Sequence, residues 1–260
     1  MRAAAGPCHG RVEAEDDVFE GGFAVELVVA LVAVGVASLL QGSVGFGFGL
    51  VAVPTLTLVW PELLPATALL LLLPMTALMV ARERGAVDTI GLAWLAGGRF
   101  VGTFGGLWLL VVVPRASLSA LFGGLILVAV AISVAKPRFR VCGPSQLGAG
   151  LAAGVLATAA GVGGPPLALL YQQRPGPELR STLAATFVLG TVVSLTVLGL
   201  TGQVGRQHLL AAVALLPGVL VGLWASRFTT AALEGGWLRP AVLTFAALAG
   251  GAAVLRAILL

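Results

Sequence analysis

Charge is scarce in this chain. Asp, Glu, Lys and Arg supply 10% of its 260 residues, against about 25% in soluble domains. Apolar residues take their place: 58% of the chain is hydrophobic and the mean hydropathy is +1.05. A soluble fold of this length could not hide so much apolar surface. A water-soluble enzyme, a nucleic-acid binder and a disordered scaffold are therefore excluded, and lipid is the expected medium. Cysteine is equally sparse. Cys8 and Cys142 form no CxxC and have no histidine cluster near them, so neither a metal centre nor a disulfide framework is expected. G-x-S-x-G, Walker and HExxH patterns are missing. No nucleophile and base can be assembled, so neither enzymatic activity nor a cofactor is expected.

The charges that exist are unevenly placed. Six of the eleven acids lie in residues 1–26, while residues 27–260 hold thirteen basic and five acidic residues. Those basic residues sit one to three at a time between long apolar runs. That is the pattern of loop charges that orient a membrane protein, not of a stripe that binds nucleic acid. Residues 1–22 read as a polar acidic tail rather than a secretory signal, because acids precede the first apolar run.

A membrane helix needs about 20 apolar residues. Candidate spans are 23–58, 63–81, 89–112, 117–135, 147–171, 181–201, 207–225 and 238–258. The fold class expected is all-α, a multi-pass integral membrane protein of about eight transmembrane helices, if the glycine-interrupted runs 23–58 and 147–171 each cross once. Lys136, Arg138 and Arg140 place their loop in the cytoplasm. Arg82 and Arg84, two spans earlier, then fall on the same side, both termini are cytoplasmic, and Arg174 and Arg180 face outward against the rule.

The chain repeats itself. At an offset of 116, Gly45-x-Gly47 meets Gly161-x-Gly163, Pro61-Glu62-Leu63 meets Pro177-Glu178-Leu179, and Gly102 with Gly106-Leu107-Trp108 meets Gly218 with Gly222-Leu223-Trp224. Within residues 31–68, eleven of 38 positions match, where chance supplies about four. The expected organisation is a tail (1–22), a first four-helix repeat (23–135), a basic cytoplasmic linker (136–146) and a second four-helix repeat (147–260). Single crossings make the repeat parallel, which is the reading favoured. If each interrupted run enters and leaves on one side, each copy crosses three times and the repeat is inverted.

The two interruptions carry the most chemistry. One contains Gly45, Gly47 and Gly49; the other runs from Thr158 through Gly161, Gly163 and Gly164 to Pro165-Pro166. Glycine at this density unwinds a helix, and proline suits the first turn of a new one. A half-helix starting at membrane depth offers N–H groups and a positive dipole end, which suits an anion. Paired discontinuities are a sequence pointer to a transport site. The competing reading makes the glycines close-packing surfaces. That reading is preferred for Gly102, Gly106, Gly218 and Gly222.

Arg99 lies about mid-span, where a charge costs at least about 2.5–3.5 kcal/mol. No carboxylate occupies the middle of any span: Glu62, Glu83, Asp88, Glu178 and Glu234 all lie in or beside loops. Arg99 therefore either binds an anionic substrate through its guanidinium or snorkels or caps carbonyls at a broken helix. The lack of buried acids also argues against a carboxylate proton relay. Thr67, Thr158, Ser181, Thr182, Thr186 and Ser194 could line a path, although such hydroxyls more often bond back to their own helix.

The segments Gly45-Phe-Gly-Phe-Gly-Leu-Val-Ala-Val-Pro54 and Gly161-Val-Gly-Gly-Pro-Pro-Leu resemble the two signature segments of the TauE/SafE sulfite-exporter family, with Phe46 and Phe48 where that family tends to have glycines. The resemblance extends over about residues 27–255. It implies a bacterial inner-membrane transporter of sulfur-containing anions such as sulfite, sulfonates or sulfoacetate. The substrate-binding residues expected are Gly45, Gly47, Gly49, Arg99, Thr158, Gly161, Gly163, Gly164 and Pro165. The partners expected are a small anion and the lipid bilayer, with self-association left open. A non-transporting assembly protein and a flippase for anionic lipid head groups are the alternatives.

Overall fold

A computed structural model describes residues 9–114, 117–135 and 140–233, with isolated helical positions at 244, 247, 248, 251, 252, 254 and 255. Residues 1–8, residues 136–139 of the linker and most of the span expected over 238–258 lie outside the described residues. Among the described residues all regular structure is helical. The helices are α1 (His9–Val44), α2 (Phe48–Val59), α3 (Ala66–Arg82), α4 (Thr89–Val112), α5 (Leu118–Ala135), α6 (Gly143–Ala160), α7 (Gly164–Tyr171), α8 (Gly176–Leu200) and α9 (Arg206–Leu233). Four stretches are long and apolar enough to cross a bilayer: Val25–Val44, Thr89–Val112, Gly176–Leu200 and Arg206–Thr229.

Local chemistry sets the helix ends. Asp88 caps α4, its carboxylate accepting from Gly91 N at 2.9 Å. Such a cap satisfies one of the orphan amides of a first turn. Pro177 and Glu178 open α8, and Gly161, at φ 71°, ends α6 in the left-handed region.

The surface and interior reverse the pattern of a soluble protein. Val28 and Val32 of α1, Phe100, Phe104 and Trp108 of α4, and Val221, Trp224 and Phe228 of α9 are exposed. Arg99, Thr103, Thr158, Thr191 and Ser194 are buried. An apolar exterior of this extent is what lipid accepts.

Glycine lets two pairs of parallel helices approach closely. On α4, Gly98, Gly102 and Gly106 face the carbonyls of Leu147, Leu151 and Val155 on α6. On α9, Gly218 and Gly222 face Leu31 and Gly35 of α1, and a methyl on Gly218 would lie 2.8 Å from the Leu31 oxygen. These glycines serve packing.

Each glycine-rich interruption turns the chain back. Trp60, just past α2, donates its indole N–H to Glu26 at the start of the apolar part of α1, at 3.1 Å. Gln146, in the first turn of α6, donates to the hydroxyl of Tyr171, the last residue of α7, at 2.9 Å. Both segments are helical hairpins that begin and end on one side. The described residues therefore do not confirm the count of eight, which passes each interrupted run through once, or the parallel reading that depends on it. The physical reason is that positive-φ glycines reverse the chain where a kink would let it continue. Positive φ occurs at Gly45 (95°), Gly47 (127°) and Gly161 (71°).

Helix directions follow. α3 and α8 are antiparallel: Glu83, after α3, pairs with Arg180 near the start of α8, while Ala66 and Leu198 at their other ends line one cavity. Arg174 and Arg180 therefore reach the same face as Arg82, Arg84 and Arg140, and the conflict with the charge rule disappears. The apolar part of α1 starts on the face opposite these arginines, since Glu26 lies at its start and Gly42, near its end, meets Arg82.

Candidate functional site

The two hairpin tips meet. A methyl placed on Gly49 would lie 2.5 Å from the carbonyl oxygen of Gly161 and 3.0 Å from Val162 Cα. On Gly161 it would lie 3.2 Å from Ala68 Cβ, and on Gly164 3.2 Å from Phe46 Cβ. Gly47, Gly49, Gly161, Gly163, Gly164 and Pro165 border one small cavity together with Gln41 and Phe187. The cavity admits the centre of a water-sized sphere over ≈ 10 Å³, about the room one water needs. The conformation is therefore closed around its centre. Gly45 lies beside this cavity rather than on it, packed against Leu179 and Arg180.

Gln41 was not singled out from the sequence, although it opens the first interruption. Its Oε1 accepts from Phe48 N at 3.0 Å, capping α2 in place of an N-cap side chain. Its Nε2 is buried without a partner. The amide therefore uses its acceptor on the protein and leaves its donor at the cavity.

Arg99 is 0% exposed, and none of its three guanidinium nitrogens has a hydrogen-bond partner. It neither snorkels nor caps a carbonyl. The guanidinium carbon lies 5.4 Å from the centroid of the Phe187 ring, a distance at which a cation gains from the aromatic face. Gly190 of α8 makes room for it, since a methyl there would overlap Arg99 Nε. A methyl on Gly163 would lie 3.5 Å from Nη1. Gly163 and Phe187 thus border both the arginine and the cavity. Thr158 lies farther along α6 and bonds Ser194 at 2.7 Å, and Thr191 Oγ1 is buried without a partner.

The half-helix dipoles are less free than the sequence suggests. Phe48 N is taken by Gln41, and Leu50 N bonds Gly47 O at 3.0 Å. Pro165 and Pro166 bring no N–H to the first turn of α7. The donor set therefore leans on side chains, Arg99 and Gln41, more than on backbone amides. Thr103 and Thr186 bond back to Arg99 O and Thr182 O at 2.9 and 2.8 Å. Thr182 also accepts from Asp88 N at 2.9 Å.

Toward the basic face a polar network ties the second hairpin to α4. Tyr171 donates to Asp88 at 2.8 Å, and Gln146 reaches both, anchoring the open end of the α6–α7 hairpin to the start of α4. Sequence reading placed Asp88 beside a loop; its partners on α6 and α7 are distant in sequence and leave no local signal.

The family profile described as sulfite exporter TauE/SafE matches residues 29–253. No curated protein and no solved structure matches the chain.

Proposed function

The chain belongs to the sulfite exporter TauE/SafE family, a family of membrane transporters, and on that premise we propose that it carries a small, sulfur-containing oxyanion by alternating access around its two hairpin tips. One observation carries the reading: the chemical sense of the unsatisfied interior. Among the described residues, seven buried side-chain polar atoms have no partner, and four of them are obligate donors (Gln41 Nε2 and the three nitrogens of Arg99). The other three are the hydroxyls of Ser38, Thr67 and Thr191, and no carboxylate or amide oxygen is among them. Buried polar groups normally find partners, and an unpaired buried cation is strongly unfavourable. A ligand with several acceptor oxygens and negative charge completes this set; guanidinium suits such an oxyanion.

The topology fits the same reading. Val44 and Ala160 end α1 and α6, and Phe48 and Gly164 begin α2 and α7, each pair separated by the offset of 116. α1 packs on α9 and α4 on α6, while α3 and α8 run antiparallel. These relations support two inverted copies, residues 23–135 and 147–260, around a central site. With the positive-inside rule they support an orientation in a bacterial inner membrane with the basic face in the cytoplasm. An anion leaving the cell gains about 2.3 kcal/mol per charge from a potential of 100 mV, negative inside.

The test is sulfite flux in proteoliposomes containing wild-type or Arg99→Gln protein. Flux should fall by at least about tenfold, the equivalent of one charge-assisted hydrogen bond. Unchanged flux removes Arg99 from the site.

A further inference from the structure

The two faces of the protein are not in the same state. On the basic face, Arg180 Nε bonds both carboxylate oxygens of Glu83, at 3.1 and 3.2 Å. This pair covers the first hairpin tip, because a methyl on Gly45 would lie 3.1 Å from Arg180 Cα. Beside it, Arg82 donates to Gly42 O near the end of α1 at 3.0 Å. On the opposite face, Glu62, Leu64 and Leu198 line a cavity of about 580 Å³ together with Gln203, Arg206 and His208. At the offset of 116, Leu64 corresponds to Arg180, Leu198 to Arg82 and Glu62 to Glu178. The counterparts of Arg180 and Arg82, two of the residues that close the basic face, therefore border an open cavity on the other.

We propose that Glu83 and Arg180 form the inner gate, and that opening it exposes a vestibule in which Arg82 and Arg180 capture the substrate anion. The inference rests on the transport reading and deepens it. In two inverted copies, the arrangement at one face is the arrangement the other adopts when access switches. A basic-face vestibule built this way has arginines where the opposite one has leucines. The arginine that the gate holds shut with a carboxylate is then released to an anion of similar geometry. An anion that takes Arg180 from Glu83 binds the open state preferentially and shifts the population toward it. Capture is favoured on the basic face, and release occurs where those positions are apolar.

Two thiol probes read the gate without reference to any substrate. Both are placed in a Cys8→Ser, Cys142→Ser background. Ser43→Cys lies buried next to Gly42, and Gln203→Cys lies in the opposite cavity. A membrane-impermeant maleimide on the basic face should label position 43 about threefold to tenfold faster in Glu83→Gln, the range for one partly buried ion pair. Labelling of position 203 from the other side should slow. The charge swap Glu83→Arg with Arg180→Glu should restore slow labelling at 43. Unchanged labelling at 43 in both Glu83→Gln and Arg180→Gln overturns the gate. Capture is read separately, with sulfite applied to the basic face of vesicles. Its half-saturating concentration should rise several-fold in Arg82→Gln and in the charge swap. If the swap restores half-saturation along with slow labelling, Arg180 only latches and the capture role is wrong. If wild-type vesicles move no sulfite while the labelling results hold, the substrate reading fails and the gate stands.

Discussion

Gly49 rests against the carbonyl oxygen of Gly161, with a methyl at the former reaching within 2.5 Å of the latter. Two backbones from the two halves of the chain thus touch at the centre of the molecule, where neither can carry a side chain. Gly49→Ala should force the hairpin tips apart at a cost of about 1–3 kcal/mol, the usual penalty for overpacking. A lowered unfolding temperature together with reduced sulfite flux is expected; wild-type values of both would show that the tips have slack.

Arg99 should trade stability against activity. Arg99→Met fills a similar volume and removes a buried charge that has no partner. The protein should become more stable, by about 1–4 kcal/mol, while losing anion transport. Arg99→Lys keeps the charge but not the planar fork and should retain only part of the flux. A destabilised Arg99→Met protein would mean that the guanidinium is already satisfied in the resting state.

The Tyr171 network should be structural. Tyr171→Phe removes the donor to Asp88 and the acceptor for Gln146 and leaves both partly unsatisfied. Stability should fall by about 1–3 kcal/mol, measured by thermal unfolding in detergent. Half-saturation for sulfite should be unchanged in the protein that remains folded, because none of the three residues borders the central cavity. A changed half-saturation would place the network in the transport path.

Cys142 reports both chemistry and sidedness. Its sulfur lies 3.4 Å from the Ser145 hydroxyl. Hydrogen bonds from the side chain and backbone of Ser145 hold the thiol below its ordinary pKa, with help from Arg140 and against a desolvation effect. A lowered pKa means more thiolate at a given pH, so alkylation should persist to lower pH than for a free thiol. Ser145→Ala should move that profile upward. Labelling should occur from the cytoplasmic side of the membrane; labelling from the outer side would reverse the proposed orientation.

Much of the helix inventory was legible in hydropathy. The expected 89–112 is α4 residue for residue, and 117–135 differs from α5 by one position. These runs are apolar and bounded by charge or proline, so length alone fixes them. The interruptions were legible as interruptions but not as reversals. Glycine content reports that a helix stops, whereas the direction taken next depends on φ at Gly45, Gly47 and Gly161 and on what packs against them. That one ambiguity carried the direction of each hairpin and the face on which Arg180 lies. Arg99 was legible because a charge in mid-span is rare. Gln41 was not, because an amide beside glycines looks the same whether it caps a helix or lines a surface. The contact between Glu83 and Arg180 spans 97 positions in sequence and has no local signature at all.

In the proposed cycle the guanidinium, which has no hydrogen-bond partner, also sets the electrical behaviour. An empty carrier holds one uncompensated positive charge at its centre, and a carrier loaded with a monovalent anion holds none. The membrane field then acts on the return of the empty protein and leaves the loaded step nearly indifferent to voltage. Voltage jumps applied without substrate should displace charge in wild-type protein and not in Arg99→Met; equal displacement in both would place the moving charge elsewhere.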